Sequence, residues 1–288
     1  MFTDRLTDTA TRIDAHLAAV LASRPDLPVT QGMRYALRGG KKLRGFLVIE
    51  AARLHDIPET QAIWPAAAIE AVHAYSLVHD DLPCMDDDDL RRGLPTVHRK
   101  WDDGTAVLVG DALQALGFEL AGHENVGSPE VRANLMLSLA RAAGAEGMVL
   151  GQALDIAAET AATPLTLEQI TALQAGKTGA LIGWSAEAGA RLAGADPAPL
   201  GRYAAALGLA FQIADDILDV TGDAAEVGKA VGKDAAAGKA TFVSLLGLDG
   251  AKRRADALVT EACDALSCYG ARAATLKEAA RFVIARRN

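Results

Sequence analysis

The sequence is poor in aromatic residues, in cysteines and in long uncharged segments. Aromatic residues make up 5% of its 288 residues, and the Val/Ile/Thr-rich alternation typical of β-strands is nearly absent. Its three cysteines form no CxxC pair and no disulfide framework, which favours a reducing compartment and predicts a cytoplasmic protein. The longest uncharged segment, 203–214, has 12 residues and is too short to span a bilayer. A β-sheet protein, a disulfide-rich scaffold and stable membrane insertion are therefore not expected.

Basic residues are also in deficit. The chain has 29 Lys and Arg against 37 Asp and Glu, a net charge of −8, which argues against a nucleic-acid-binding surface. Half of the residues are hydrophobic, and the abundant Ala, Leu, Arg and Glu favour helices. Breaks at Pro and Gly leave segments of roughly 12–22 residues, which are ordinary helix lengths. We predict one all-α domain over residues 1–288, a bundle of about ten helices around a central space.

An aspartate-rich stripe interrupts the most apolar predicted helix, residues 203–220. Gln212, Asp215, Asp216 and Asp219 follow the spacing i, i+3, i+4, i+7, which places them on one helix face. Because unpaired buried carboxylates are costly, we expect cations beside this face. The alternative is a solvated amphipathic face, but such a face would be broader and would carry Lys and Arg.

A second polar stripe lies on the predicted helix 62–82. Glu70, His73 and Asp80 share one of its faces, with His73 two turns, roughly 10 Å, before Asp80. Six of the ten residues from 80 to 89 are aspartate, and Arg91 and Arg92 follow. A single acidic run is usually a solvated surface. Two DDxxD-like clusters, each at the end of an apolar helix, instead indicate a functional site.

The residue types in these clusters suit a hard cation. Carboxylates without a nearby Cys or His pair favour Mg²⁺, which binds through one or two carboxylates and phosphate oxygens. The spacing of an EF-hand is missing, and a di-iron bundle needs two ExxH motifs where only Glu70–His73 is present. Basic residues near glycines recur in residues 39–44 (GGKKLR), at 91–92, at 177–178, and at Lys229, Lys233 and Lys239. We therefore expect two anions, one held by metal and one held directly by basic groups.

Taken together, these segments resemble the trans-isoprenyl diphosphate synthases, the short-chain polyprenyl synthase family. The resemblance runs from about residue 30 to the C-terminus. It rests on GGKKLR, HAYSLVHDDLPCMDDDDLRRG, GDAL, GMVLGQALD, KTGAL, FQIADDILD and GKDAAAGKAT, which occur in the family's order. The longer DDxxxxD form of the first aspartate motif is most similar to that of the bacterial farnesyl diphosphate synthases. One departure is Gly45, where the family usually has Pro.

The resemblance implies an all-α isoprenoid synthase fold around a deep central cavity, usually in a homodimer. It also implies three Mg²⁺ ions with diphosphate as co-ligand, bound by Asp80, Asp86 and Asp215 and supported by Asp81, Asp216 and Asp219. The implied contacts with the allylic diphosphate are Arg91, Lys177, Thr178, Gln212 and Lys229. Those with isopentenyl diphosphate are Lys41, Arg44, His73 and Arg92. Catalysis would then depend on the three metal ligands together with Lys177 and Arg91.

The implied reaction joins dimethylallyl or geranyl diphosphate head-to-tail (1'-4) to isopentenyl diphosphate. The allylic C–O bond ionises, and the double bond of isopentenyl diphosphate attacks C1 inside a dry cavity. The cation formed then loses a proton, which the released diphosphate could accept. Tyr75 and Ser76 lie about one turn before Asp80, and a tyrosine there can form a floor that stops growth at farnesyl diphosphate, although Tyr75 can also be a plain core aromatic.

Four alternatives remain open. Geranylgeranyl or geranyl diphosphate synthase would differ only in product length. A terpene cyclase normally carries an NSE-type second motif, which DDILD and GGKKLR argue against. An inactive partner subunit would be expected to lose aspartates, whereas both motifs are complete here.

Overall fold

The protein is helical apart from one short hairpin, in the residues that the computed structural model describes: 2–161, 163–221 and 241–285. The hairpin pairs β1 (Leu90–Arg91) antiparallel with β2 (Leu94–Pro95). The α-helices are α1 (Phe2–Ala22), α2 (Pro28–Ala36), α3 (Leu43–Leu54), α4 (Glu59–Asp80), α5 (Val97–Lys100), α6 (Asp103–Ala121), α7 (Pro129–Ala143), α8 (Met148–Glu159), α9 (Leu167–Gln174), α10 (Ala180–Leu192), α11 (Ala198–Thr221), α12 (Phe242–Leu246), α13 (Leu248–Ala265) and α14 (Ala274–Ala285). The all-α prediction is confirmed, with more helical segments than the ten expected because short helices join the long ones.

The chain divides into two compact units. The first comprises residues 1–137 and 188–195. Its centre is α4, which packs against α6 and α3. Ala66, Ala67 and Ala68 of α4 are fully buried, and their small side chains let neighbouring helices approach closely. The apolar sequence of α4 therefore makes it a core helix, and its C-terminal end carries the first aspartate motif.

The second unit comprises residues 138–187 and 196–288. Its centre is α11, which packs against α13 and α14. Tyr203 of α11 is fully buried, and its hydroxyl donates a hydrogen bond to the carbonyl of Leu276 at 2.8 Å. This bond satisfies the one polar atom of an otherwise apolar contact. The helix thereby holds the second aspartate motif on a fixed support.

Local sequence signals account for several helix ends. Thr166 and Gln169 form the expected capping box at the start of α9, because each side chain accepts a hydrogen bond from the other residue's backbone N–H. The helix α4 ends at Asp80, three residues before Pro83. Among the described residues, no helix is both long and apolar enough to cross a membrane.

Candidate active site

The first aspartate motif forms a tight turn at the end of α4. The backbone N–H of Asp86 donates to the carbonyl of Asp80 at 2.8 Å, and the N–H of Asp87 donates to the carbonyl of Leu82 at 3.1 Å. Asp87 has a positive φ of 52°, which aspartate tolerates better than most residues. This turn brings the backbones of Asp80 and Asp86 together. The side chain of Asp80 is partly exposed and that of Asp86 is exposed.

Asp81 serves a different purpose from its neighbours. It is buried and accepts hydrogen bonds from Nε of Arg91 at 3.0 Å and from a terminal nitrogen of the same guanidinium. Burial raises the pKa of the Asp81 carboxyl, and the hydrogen bonds from Arg91 offset part of that rise. The guanidinium also lies 3.4 Å from Asp88. Asp81 therefore orients Arg91 at the β-hairpin rather than facing solvent.

A cation cluster lies at the start of α3 and the middle of α4. It comprises Lys42, Arg44 and Arg92 around His73. The Nε atom of Arg44 is buried and has no hydrogen-bond partner among the described residues. The pKa of His73 is lowered well below its usual value, first by burial and then by the positive charges of Arg44, Arg92, Lys42 and Arg91. His73 is therefore neutral at pH 7, and the cluster attracts an anion.

Glu70 is the buried counter-charge of this cluster. Its carboxylate opposes the lowering of the pKa that burial imposes on Arg44 and Arg92. Its Oε1 accepts a hydrogen bond of 2.8 Å from the backbone N–H of Gly45. A proline, the residue usual in the family, has no N–H to donate. The departure at Gly45 thus supplies a hydrogen bond to a buried carboxylate.

Glycine at position 40 makes room for Arg92. A Cβ on Gly40 would lie 2.7 Å from Cζ of Arg92, and the residue has a φ of +77°. The guanidinium of Arg92 also donates to the carbonyl of Arg38 at 2.9 Å. The Gly39–Gly40 pair in GGKKLR therefore lets the backbone lie directly against an arginine of the other basic segment. Lys41, in the same turn, is exposed.

The residues expected to control product length lie on α4. Tyr75 is buried and packs edge-on against His79, with ring centroids 5.9 Å apart. The hydroxyl of Ser76 donates to the carbonyl of His73 at 2.9 Å. Nε2 of His79 lies 3.0 Å from the carbonyl oxygen of Val107, and its ring fills the space that a side chain at Gly110 would take. His79 is therefore a packing residue between α4 and α6.

In the second unit, a π-helical turn, Ala175–Gly179, holds Lys177. A Cβ on Gly151 of α8 would lie 1.9 Å from the backbone nitrogen of Lys177, so only glycine permits this approach. Nζ of Lys177 lies 2.5 Å from Oδ2 of Asp155. π-Turns are frequent at functional sites. Here the turn directs Lys177 towards a carboxylate of the GQALD segment, and Thr178 beside it is partly exposed.

The polar stripe of α11 is present but is not buried as expected. Asp215 is exposed, and Gln212, Asp216 and Asp219 are partly exposed. The apolar sequence suggested a buried helix, but the stripe lies on an accessible face of α11. Oδ2 of Asp216 accepts a hydrogen bond of 2.7 Å from the backbone N–H of Phe242. Asp216 thus holds the start of α12.

The carboxylates are suited to magnesium by their type. Within residues 2–161, 163–221 and 241–285, no three His, Cys, Asp or Glu side chains form a metal site by themselves. Asp80, Asp86 and Asp215 nevertheless offer accessible oxygens, and Mg²⁺ typically takes one or two carboxylates and completes its shell with water and phosphate. Lys229, Lys233 and Lys239 lie outside the described residues.

Sequence reasoning missed three sets of contacts. They are those of Lys177 with Asp155, of Glu70 with the backbone of Gly45, and of Lys42 with Leu37 and Asp14. Each joins residues of different segments, so periodicity along one helix gives no signal for it. The only available signals were the Asp in GQALD and the second lysine of GGKKLR, which the sequence interpretation left without a role.

Comparison with known proteins agrees with this geometry. The model of the family described as polyprenyl synthetase matches residues 28–274. Farnesyl diphosphate synthase of Haemophilus influenzae is 41% identical over 299 residues, covering 100% of this chain and 99% of that protein. A chloroplastic geranylgeranyl pyrophosphate synthase of Catharanthus roseus is 41% identical over 276 residues, covering 94% and 77%.

Solved structures are similar over the whole length. The apo crystal structure of an FPP/GFPP synthase from Zymomonas mobilis has a TM-score of 0.90 and 45% identity, and the alignment covers 98% of each chain. The resemblance read from the motifs is confirmed by the family match and by these relatives. This chain belongs to the polyprenyl synthetase family.

Proposed function

We propose that this chain condenses an allylic diphosphate with isopentenyl diphosphate, releasing diphosphate and forming farnesyl diphosphate. The observation that carries the proposal is the cation cluster around His73, in which the buried Nε of Arg44 has no hydrogen-bond partner in the part of the chain that the structure describes. A cluster of this kind is stabilised by an anion that accepts several hydrogen bonds, as a diphosphate does. The chain is a short-chain prenyltransferase of its family, and the cluster is the part that would distinguish a two-diphosphate enzyme from a cyclase.

Isopentenyl diphosphate would bind to Lys41, Arg44, His73 and Arg92. In this arrangement His73 is neutral, so it donates one hydrogen bond without adding a charge that must be desolvated. The negative charge of Glu70 opposes the lowering of the pKa of Arg44 by burial, which favours a charged guanidinium at the site before substrate binds. The site therefore binds by preorganised donors, and the bound molecule is positioned for attack on the allylic carbon.

The allylic diphosphate would bind to Arg91, Lys177, Thr178, Gln212 and Lys229. We propose Asp80, Asp86 and Asp215 as ligands of Mg²⁺, in a set of three ions that shares the diphosphate as co-ligand. When bound, the ions neutralise negative charge on the leaving diphosphate. Arg91 and Lys177 enter the reaction already oriented by Asp81 and Asp155, so little reorganisation is needed when charge develops on the leaving group.

We propose that Tyr75 limits the length of the product. Its buried ring lies on α4, one turn and a half before the first aspartate motif, and a rigid aromatic there would limit the growing chain to fifteen carbons. A geranylgeranyl synthase is the competing assignment, favoured by the similarity to the plant enzyme.

We further propose one polyprenyl synthase domain that works as a cytoplasmic homodimer. The free state of Cys84, Cys263 and Cys268 agrees with that compartment.

Steady-state kinetics with both substrates varied tests the proposed function. Arg44→Ala should raise the KM for isopentenyl diphosphate at least tenfold more than the KM for geranyl diphosphate, because loss of one partner of a closed charged contact costs about 2–5 kcal/mol. Lys177→Ala should do the reverse or lower kcat. Product extraction and sizing by chromatography identifies the chain length. Equal effects of both variants on both substrates would exclude the two-site assignment.

A further inference from the structure

Lys42 is a buried lysine in a strained backbone position. Its side chain is 3% exposed, and its φ of 49° places it in the left-handed region, where residues with a Cβ are uncommon. It is the residue immediately before α3, and its carbonyl accepts the first hydrogen bond of that helix, from Phe46. A lysine is among the residues least often buried without a partner. The conformation and the burial both need an explanation.

The ammonium group of Lys42 ties three segments together. Nζ donates to the carbonyl of Leu37, the residue that ends α2, at 2.5 Å. It also lies 3.2 Å from Oδ1 of Asp14 in α1. One side chain thus joins α1, the end of α2 and the start of α3. The turn that it closes, residues 37–42, contains the two glycines and Lys41.

The residues on either side of Lys42 are those proposed to meet isopentenyl diphosphate. Lys41 precedes it, and Arg44 follows two residues later in the first turn of α3. The buried ammonium group of Lys42 fixes the backbone at this position. The side chains of Lys41 and Arg44 are therefore oriented by contacts within the protein, before any substrate binds. Asp14 also acts on Arg92, whose pKa it raises against the lowering due to burial. A carboxylate of α1 therefore balances two members of the cation cluster.

We propose that Lys42 and Asp14 are a positioning pair that holds the turn 37–42 and the start of α3 in the conformation that binds isopentenyl diphosphate. The inference rests on the proposed function of that site. It extends the site to α1, which carries Asp14; Asp14 precedes residues 28–274, the range that the family model matches. Neither residue needs to touch the substrate. The pair acts by keeping Lys41 and Arg44 preorganised, which lowers the cost of binding.

Three variants test the pair, and for each the KM for both substrates and the melting temperature are measured. Lys42→Met removes the charge at similar length and should raise the KM for isopentenyl diphosphate about tenfold, with the allylic KM changed less than twofold. Lys42→Arg keeps the positive charge and should leave the KM for isopentenyl diphosphate within about threefold of that of the wild type. Asp14→Asn, at a residue that is 44% exposed, should raise it about threefold. A tenfold change in KM corresponds to about 1.4 kcal/mol of binding free energy.

Arg5→Ala is the matched control. Arg5 also anchors α1 on α3, through hydrogen bonds of 2.9 and 2.8 Å to the two oxygens of Glu50, which lies about two helical turns after Lys42. It should lower the melting temperature and leave both KM values unchanged. If Arg5→Ala raises the isopentenyl KM as much as Lys42→Met does, general docking of α1 is responsible and the proposal is overturned.

The other possible results also test the positioning role of Lys42 and Asp14. If Lys42→Met changes both KM values equally, or neither, the positioning role is refuted. If Lys42→Met does not fold, Asp14→Asn decides alone, and an unchanged isopentenyl KM refutes the pair. A further result is that the wild type is active and Arg44→Ala shows the substrate-specific effect while Lys42→Met does not. That result would refute only this inference and leave the proposed function intact. A wild type without isopentenyl-dependent condensation would instead remove the proposed function.

Discussion

Replacing Gly45 by proline, the residue usual in the family, should destabilise this protein. Gly45 is the third residue of α3, where a backbone N–H has no acceptor within the helix. Here that N–H donates to Glu70 at 2.8 Å, and Glu70 is only 4% exposed. Proline fits the first turn of a helix but cannot donate. The substitution therefore leaves a buried carboxylate short of one hydrogen bond.

The magnitude has two parts. Loss of a hydrogen bond to a buried charged group costs about 1.5–3 kcal/mol. The added side chain also has no room, because a Cβ at this position would lie 2.5 Å from Cδ1 of Ile13 and 3.1 Å from the carbonyl oxygen of Ala66. Overpacking of this kind typically costs about 1–3 kcal/mol. We expect Gly45→Pro to lower the free energy of unfolding by about 2.5–6 kcal/mol, a large part of a typical total of about 5–15 kcal/mol.

The two parts can be separated by urea unfolding of matched variants. Gly45→Ala keeps the N–H and suffers only the overpacking. Ile13→Val removes the Cδ1 atom that lies in the way, so Gly45→Ala should be better tolerated in that background than alone. The difference between Pro and Ala at position 45 in the Ile13→Val background then contains the bond to Glu70, together with the effect of the proline ring. Equal unfolding free energies of those two variants would refute the role assigned to this bond.

Three further predictions concern the metal, the product and pH. Asp80→Ala and Asp215→Ala should each reduce turnover below a tenth of wild type with unchanged circular dichroism, while Asp256→Ala on the exposed face of α13 should not. Tyr75→Ala should shift products towards twenty carbons, at some cost in stability, and Tyr75→Phe should keep fifteen; an unchanged product from folded Tyr75→Ala would place the stop elsewhere. The pKa of His73 is lowered on folding, so the unfolded chain binds more protons below about pH 6.5 and stability falls as pH is lowered from 7. His73→Gln should lose less stability between pH 7 and 5 in urea titrations, and parallel curves would contradict this reasoning.

The sequence by itself determined the class of fold and the chemical groups of the site. Helix periodicity and capping are local, so the capping box at Thr166 and the apolar character of α4 and α11 could be read along the chain. The motifs were legible for the same reason, since each occupies a short continuous segment. The family match over residues 28–274 agrees with that interpretation.

The tertiary structure decided which of these groups are buried and what holds them. The stripe on α11 was expected to be buried, yet Asp215 is exposed, because burial depends on which neighbouring helix covers a face and not on the spacing within one helix. In the same way, the partners of Lys42, Glu70 and Lys177 come from other segments: Asp14, Gly45 and Asp155. Such pairings depend on how helices pack, which is set by the sum of many weak contacts across the core and leaves no periodic trace in the chain.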